Sequence, residues 1–302
     1  MSMSESTVVV IGVFDGVHKG HQALLNRAKE IADGRSIVAL TFDPHPRTVF
    51  APDSVPPMLT TLADRVELLK IHNADQVAVI KFNEQFAAMS PEKFVEDILV
   101  KQLHTGTVIV GKNFTYGAKA SGTVETLKAS GTQHGFTVDV QDLANLDLNG
   151  GAEVISSSRI RNLVLEGKVT EARELLSRPH RLDGIVVHGE KRGREIGYPT
   201  ANLGKIGGQT IPADGIYAGW LTVGINFWPA AISIGTNPTF EGDRGRQVEA
   251  YALDQEGLDL YDKEASIEFG WFLRPTLKFD SLDALLVQMK KDCDRARELT
   301  QL

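Results

Sequence analysis

Cysteine is almost absent from this chain: Cys293 is the one thiol among 302 residues. It can form no internal disulfide and no CxxC zinc pair, which fits a reducing compartment, and Cys293 itself is expected to be inert. Long apolar runs are missing too. The longest early stretch, Val8 to Phe14, is too short to span a bilayer, and the polar MSMSES start lacks the basic region of a secretory signal. A cytoplasmic location is expected. No long lysine and arginine run occurs and the net charge is −7, which argues against nucleic acid as the main partner but leaves room for a local basic pocket. A small phosphorylated ligand fits better. What is present, 42% hydrophobic and 24% charged residues, is ordinary for a globular protein long enough to hold two cores.

Between Thr7 and Gln141 the pattern alternates: TVVVIGV, a helix with Leu24, Ala28, Ile31 and Ala32 at helical spacing, SIVALTF, a helix over Leu62 to Ile71, QVAVIKF, a helix from Pro91 to Leu103, TVIV and FTVDV. This predicts a parallel α/β sheet, in which ligands gather beyond the carboxyl ends of the strands. The first such end carries GVFDGVHKGH, Gly12 to His21. A glycine-punctuated turn into a helix start leaves free N–H groups and a favourable dipole for an anion. His18 and His21, three apart, project from one side toward it, which suggests charge stabilisation. The plainer alternatives are exposed capping residues, or a metal pair completed by Asp15 or His45.

Three later segments also look chemical. In DPHPR, Pro44 and Pro46 are expected to hold the backbone extended, deny it helix, and aim Asp43 and His45 outward. In GKNFTYG, glycines permit close backbone approach while Phe114 and Tyr116 offer ring faces, unless they are ordinary core aromatics. ISSSRIR starts a second helix with Ile160, Leu163 and Val164 inward. Its Ser156, Ser157 and Ser158 are N-cap types and hydroxyl donors, and Arg161 one turn on suits a bidentate phosphate contact; a plain serine cap is the alternative.

After a further helix, Val169 to Leu176, the chain turns to short segments rich in glycine and proline: DGIVVHG, GYPTANL, GIYAGWLTV, WPAAISIG, QVEAYAL and EASIEFGWFL. These predict a small antiparallel barrel beginning after Pro179–His180, with a terminal helix from Leu282 to Leu299 capped by Ser281. The expected domains are therefore 1–180 and 181–302. Gly189, Gly193 and Gly197 recur at every fourth position in a stretch that is neither a Walker loop nor a dinucleotide fingerprint. A glycine flap followed by Thr200 and Asn202 could cover phosphates and offer hard oxygens to Mg²⁺; a hairpin with turn glycines is the alternative. Alternation in VEAYAL puts Glu249 on the face opposite Ala250 and Ala252.

The pairing of HKGH with ISSSRIR resembles the HxGH and SSTxxR signatures of adenylyl-transferring nucleotidyltransferases. With GVFDGVHKGH and TFDPHP it is similar to the N-terminal module of bacterial bifunctional riboflavin kinase/FAD synthetases. GEKRGREIGYPTANL matches the GxxxGRxxGxPTAN signature of riboflavin kinases, and ISIGTNPTF, VEAYALD, LYDKEASIEF and FLRPTLKF continue the match over nearly the whole chain. The resemblance implies a Rossmann-like nucleotidyltransferase module and a kinase barrel. It also implies catalytic roles for His18, His21, Arg161 and Glu249. Nucleotide contacts fall to Gly12, Phe14, Asp15, Asn113, Ser156, Ser157, Ser158, Gly193 and Gly197, where Asn113 stands at a position at which many relatives carry aspartate. Flavin contacts fall to Asp43, His45, Phe114 and Tyr116, and Mg²⁺ with ATP to Thr200 and Asn202. The implied ligands are riboflavin, FMN and ATP, with no nucleic acid, no membrane, and room left for a homo-oligomer. An adenylyltransferase with another acceptor and a non-catalytic flavin-binding protein remain as alternatives.

Overall fold

Runs of β-branched residues make the first sheet. In the computed structural model, which describes residues 6–142, 155–188, 197–235 and 246–301, the strands β1 (Thr7–Ile11), β2 (Ile37–Asp43), β3 (Gln76–Lys81), β4 (Thr105–Gly111) and β5 (Thr137–Gln141) are all parallel, in the order β3-β2-β1-β4-β5. Val8, Val9 and Val10 of the central strand are fully buried, as a parallel sheet covered on both faces requires. On one face α1 (Lys19–Ile31) packs Leu24, Leu25 and Ala28 against Val8 and Val10, beside Leu69 of α3 (Leu62–Ile71). On the other, Phe94 to Leu99 and α6 (Val124–His134) cover Val9 and Ile11. The chain runs from β1 out to β3, then returns to β4 on the opposite side of β1. The switch point of the sheet thus lies between the carboxyl ends of β1 and β4, where a ligand crevice is expected.

Two local expectations fail for physical reasons. Pro46 does not deny helix after β2: its φ of −51° and ψ of −30° are helical, and it serves as N-cap of α2 (Arg47–Phe50), where its missing N–H costs nothing. The expected single helix from Pro91 to Leu103 follows the short α4 (Glu84–Ala87). It begins as α5 (Pro91–Lys93) and widens into a π-helix over Phe94–Gln102, closed by the Leu103 N–H on the Ile98 carbonyl at 3.0 Å.

The second unit is a closed antiparallel barrel of β6 (His180–Val187), β7 (Ala201–Gly204), β8 (Gly215–Val223), β9 (Asn226–Gly235), β10 (Gln247–Ala252) and β11 (Glu264–Arg274), in the order β10-β7-β6-β11-β8-β9. Alternate residues fill it: Leu203, Leu221, Ile232, Val248, Ile267 and Phe269 are inside. By compactness the chain divides into Met1–Pro56 with Leu62–Ser156, and Pro57–Thr61 with Ser157–Leu302. That division lies ahead of the composition change at Pro179–His180, because α7 (Ser157–Leu165) and α8 (Val169–Leu176) go with the barrel, and Val169 is part of the barrel core. Pro57–Thr61 is stitched to the same unit, with Met58 N–H on the Gly208 carbonyl and Thr210 N–H on the Met58 carbonyl, both at 2.8 Å. The terminal helix α9 (Leu282–Thr300) starts at Ser281, whose hydroxyl accepts from the Ala284 N–H, and lays Cys293 and Ala296 on the barrel's outer face. Arg274 of β11 grips Asp292 of α9 with two nitrogens, at 2.6 to 3.1 Å.

Candidate active sites

The turn leaving β1 is built from backbone that few residues adopt. Phe14 (φ 56°), Gly16 (φ 81°) and Val17 (φ 39°) all lie in the left-handed region, uncommon for a bulky residue and rarer still for a β-branched one. Such geometry persists only where the surroundings over-determine it. Here they do: the Val17 N–H donates to the Phe14 carbonyl at 3.0 Å, the Gln22 amide donates to the Val17 carbonyl at 2.9 Å, and the Phe14 ring is fully buried.

The turn delivers His18 to the N-cap of α1 and His21 to its first turn. Their rings stack at 3.6 Å with planes 18° apart, and the Phe14 edge meets His21 at 5.2 Å. His18 is buried and His21 half-buried. Gly20 makes this possible, since a Cβ there would press on the His18 ring at 3.1 Å. Burial, and after it the neighbouring His18 ring, hold the His21 imidazole well below its usual range. Without an anion His21 is therefore neutral near pH 7 and able to donate a hydrogen bond.

The other residues expected around this sheet are placed as follows. Gly12 lies under the Phe14 ring, where a Cβ would come within 3.0 Å, and Asp15 is buried. Asn113 is exposed in the turn after β4. Tyr116 is 7% exposed, its ring against Phe94 at 5.4 Å and stacked on Phe114 at 5.6 Å, so its faces are taken by protein and Phe114 is the less enclosed ring. Asp43 accepts from Arg65 at 3.2 Å, and the His45 ring accepts from the Arg47 N–H at 3.1 Å. Ser156 precedes α7, which begins with Ser157 and Ser158. Arg161 is buried, and its Nε donates to the Pro57 carbonyl at 2.8 Å.

The barrel site follows from strand alternation. With Val248 and Ala250 inside, Glu249 stands on the outer face, opposite Asn202 of β7 on one side and Ser233 of β9 on the other. The Thr200 hydroxyl donates to Glu249 Oε2 at 3.2 Å. These oxygens border a cavity of about 930 Å³ whose lining includes Tyr198, Thr200, Ser233, Glu249, Tyr251 and Arg274. Among the described residues no three His, Cys, Asp or Glu side chains converge as a metal cage. A hydroxyl and a carboxylate in contact, with the Asn202 amide opposite Glu249 on the next strand, suit a hard cation that takes a few protein oxygens and fills its sphere with phosphate oxygens and water, so the set fits Mg²⁺. Gly197 (φ 85°) precedes Tyr198, whereas Gly189 and Gly193 lie outside the described residues. Cys293 also lines the cavity, its thiol pushed up to about 11 by burial, as an inert cysteine requires.

Two polar residues went unnoticed in the sequence. Ser233 had a signal, being the polar member between Ile232 and Ile234. Arg65 had one too, a charge at apolar helical spacing between Leu62 and Leu69.

A parallel sheet with a glycine-punctuated turn at its switch point, followed by a closed barrel with a carboxylate and a hydroxyl paired on its outer face, is the construction of a nucleotidyltransferase module joined to a kinase barrel. The family models agree: FAD synthetase matches residues 1–159 and riboflavin kinase matches residues 176–300. The chain belongs to the bifunctional riboflavin kinase/FMN adenylyltransferase family. It is 39% identical to the member from Listeria monocytogenes, over 94% of this chain and 90% of that one, and 36% identical to the member from Escherichia coli K12, over 97% and 93%. A crystal structure described as a macrolide-efflux protein from Streptococcus pneumoniae aligns with a TM-score of 0.85 at 33% identity, covering 97% of this chain and 94% of that one. No helix among the described residues is long and apolar enough to cross a membrane.

Proposed function

We propose that the chain makes FMN and then FAD, with the reactions divided between its modules: the barrel phosphorylates riboflavin with ATP, and the α/β module adenylylates FMN with release of pyrophosphate. The observation that supports this reading is the stacked His18–His21 pair in one unit and the Thr200–Glu249 hydrogen bond, with Asn202 opposite Glu249 on the next strand, in the other. A flavin-binding protein without chemistry has no need of a carboxylate held beside metal-type oxygens.

In the kinase step the ribityl hydroxyl attacks the γ-phosphorus of ATP, ADP departs, and Glu249 takes the hydroxyl proton. The transition state is loose, so positioning dominates and an ordinary carboxylate is adequate as base. Thr200 keeps Glu249 turned toward the cavity. Thr200 and Asn202 would hold Mg²⁺, which when bound offsets charge on the phosphate oxygens.

In the adenylylation step a phosphate oxygen of FMN attacks the α-phosphorus and the bond to pyrophosphate breaks. The attacking group is already ionised, so donors to the departing charge matter more than a base. His18, His21 and the N–H groups opening α1 supply them. Negative charge on an arriving triphosphate favours proton uptake at His21, against the burial that holds its pKa down. By the family resemblance Asn113 contacts the nucleotide and Phe114 the flavin, and Ser157 and Arg161 are nucleotide-binding residues. A reducing cytoplasm suits a protein whose one thiol is buried and whose substrates are small phosphorylated molecules.

Incubation with riboflavin, ATP and Mg²⁺, followed by separation of the flavins, tests the whole reading. FMN should rise first and FAD follow; flavins that stay unmodified while still binding would overturn it.

A further inference from the structure

Among the described residues Arg65 is the largest fully buried side chain, 1% exposed, and it is charged. Burying a guanidinium is costly unless it is well paired. Its ion-pair partner, Asp43 Oδ1 at 3.2 Å, belongs to a side chain 43% exposed, the buried Asp15 adds a second negative charge nearby, and its Nε is buried without a hydrogen-bond partner. What Arg65 does hold is backbone: its second terminal nitrogen donates to the Val13 carbonyl at 3.0 Å, and the Thr41 hydroxyl donates to that same oxygen at 2.9 Å. Val13 is the last residue before the left-handed run through Phe14, Gly16 and Val17 that ends at His18. Two buried donors on one carbonyl at the start of a strained turn is more than stability asks of that oxygen.

We propose that Arg65 is a positioning residue for adenylyl transfer, clamping the Val13 carbonyl and the Asp43 carboxylate together and so fixing the turn that presents His18 and His21. Thr41 is the minor partner in the same clamp. Lysine could reach one of the two acceptors but cannot fork to both. The clamp rests on the reading of His18 and His21 as the adenylyl-transfer pair.

The test compares Arg65→Lys, Arg65→Gln and His21→Ala in the full chain, measuring kcat and KM for FAD formation from FMN, per folded molecule, with riboflavin phosphorylation followed in the same samples. Arg65→Gln should lower kcat about thirtyfold and Arg65→Lys about fivefold, with a smaller effect on KM for FMN through Asp43 and with phosphorylation unchanged. A residue serving stability alone would lower the melting temperature without moving kcat per folded molecule, and that result overturns the clamp. If Arg65→Gln does not fold, Thr41→Val decides: a several-fold loss in kcat supports the clamp, and an unchanged kcat overturns it. Should His21→Ala retain full FAD formation, the reading beneath the clamp has failed; if only the His21 variant is impaired, the clamp alone has.

Discussion

The two units meet the same demand, holding a nucleotide's phosphates beside a reacting group, with opposite constructions. In the α/β unit the site begins where regular structure stops: a turn with three residues in the left-handed region, two stacked imidazoles, and donors that brace Val13 from Thr41 and Arg65, far along the chain. In the barrel unit the site lies on regular strands, with Glu249, Asn202 and Ser233 side by side because antiparallel register puts them there. A turn-built site depends on distant contacts to hold its shape. A strand-built site inherits its shape from the hydrogen-bond ladder and needs only the right residue at the right register.

The comparison breaks most directly if the two chemistries cannot be separated. Glu249→Gln should lower FMN formation by about 10²–10⁴ and leave FAD formation from supplied FMN intact, since it removes the proton acceptor while keeping the side chain's shape. His21→Ala should do the reverse, with a loss of about 10²–10³ in adenylyl transfer. Each is read by supplying riboflavin or FMN and quantifying the products. Loss of both activities from either change in a folded protein would mean that the sites are not independent.

The same contrast decides what could be read from the sequence. Alternation alone put Glu249 on the face opposite Ala250 and Ala252, which are buried in the barrel, because period two survives wherever a strand has one core face. The parallel sheet and the barrel were equally plain, since each rests on local hydrophobic period, and the helix over Leu62–Ile71 falls where it was expected. The turn was legible only as a motif. Nothing local says that Val17 adopts a left-handed φ or that Thr41 and Arg65 share one carbonyl, because those facts arise from residues 28 and 52 positions away. Tyr116 shows the converse: a glycine-flanked aromatic suggests a ligand face, while packing on Phe94 decides otherwise. The earlier division at Ser156 was hidden for the same reason, as α7 and α8 have ordinary amphipathic patterns that do not tell which core they serve.

A smaller effect tests whether the turn-built site is as finely set as its geometry implies. Gly20→Ala adds one methyl group 3.1 Å from the His18 ring, so the ring must yield by a few tenths of an ångström. Within a helix the same change is favourable by up to about 1 kcal/mol. The expected outcome is therefore a split: adenylyl transfer falls about tenfold while the melting temperature holds or rises. Riboflavin phosphorylation should not change. Full adenylyl transfer in this variant would show that the stacked pair tolerates displacement, and that the glycine serves only the backbone.

The smallest expected effect concerns pH and again sets one unit against the other. Burial pulls the His180 imidazole from 6.5 to about 4, although its Nε2 bonds the Thr210 carbonyl at 2.7 Å. Because the unfolded chain takes this proton near the ordinary value and the folded barrel does not, stability is intact above pH 6.5 and is lost as the pH falls toward 4. Between pH 7 and pH 5 the loss from this one group is about 2 kcal/mol. Trp220, Trp228 and Trp271, the chain's three tryptophans, all belong to the barrel unit, so their fluorescence in urea follows that unit alone. His180→Asn should flatten the acid limb by that amount, and an unchanged limb would assign the acid sensitivity to other groups. His21 shares the direction of shift, but in the proposed function it meets the phosphates of ATP, so ATP should relieve its share of the pH dependence in the α/β unit and leave that of His180 untouched.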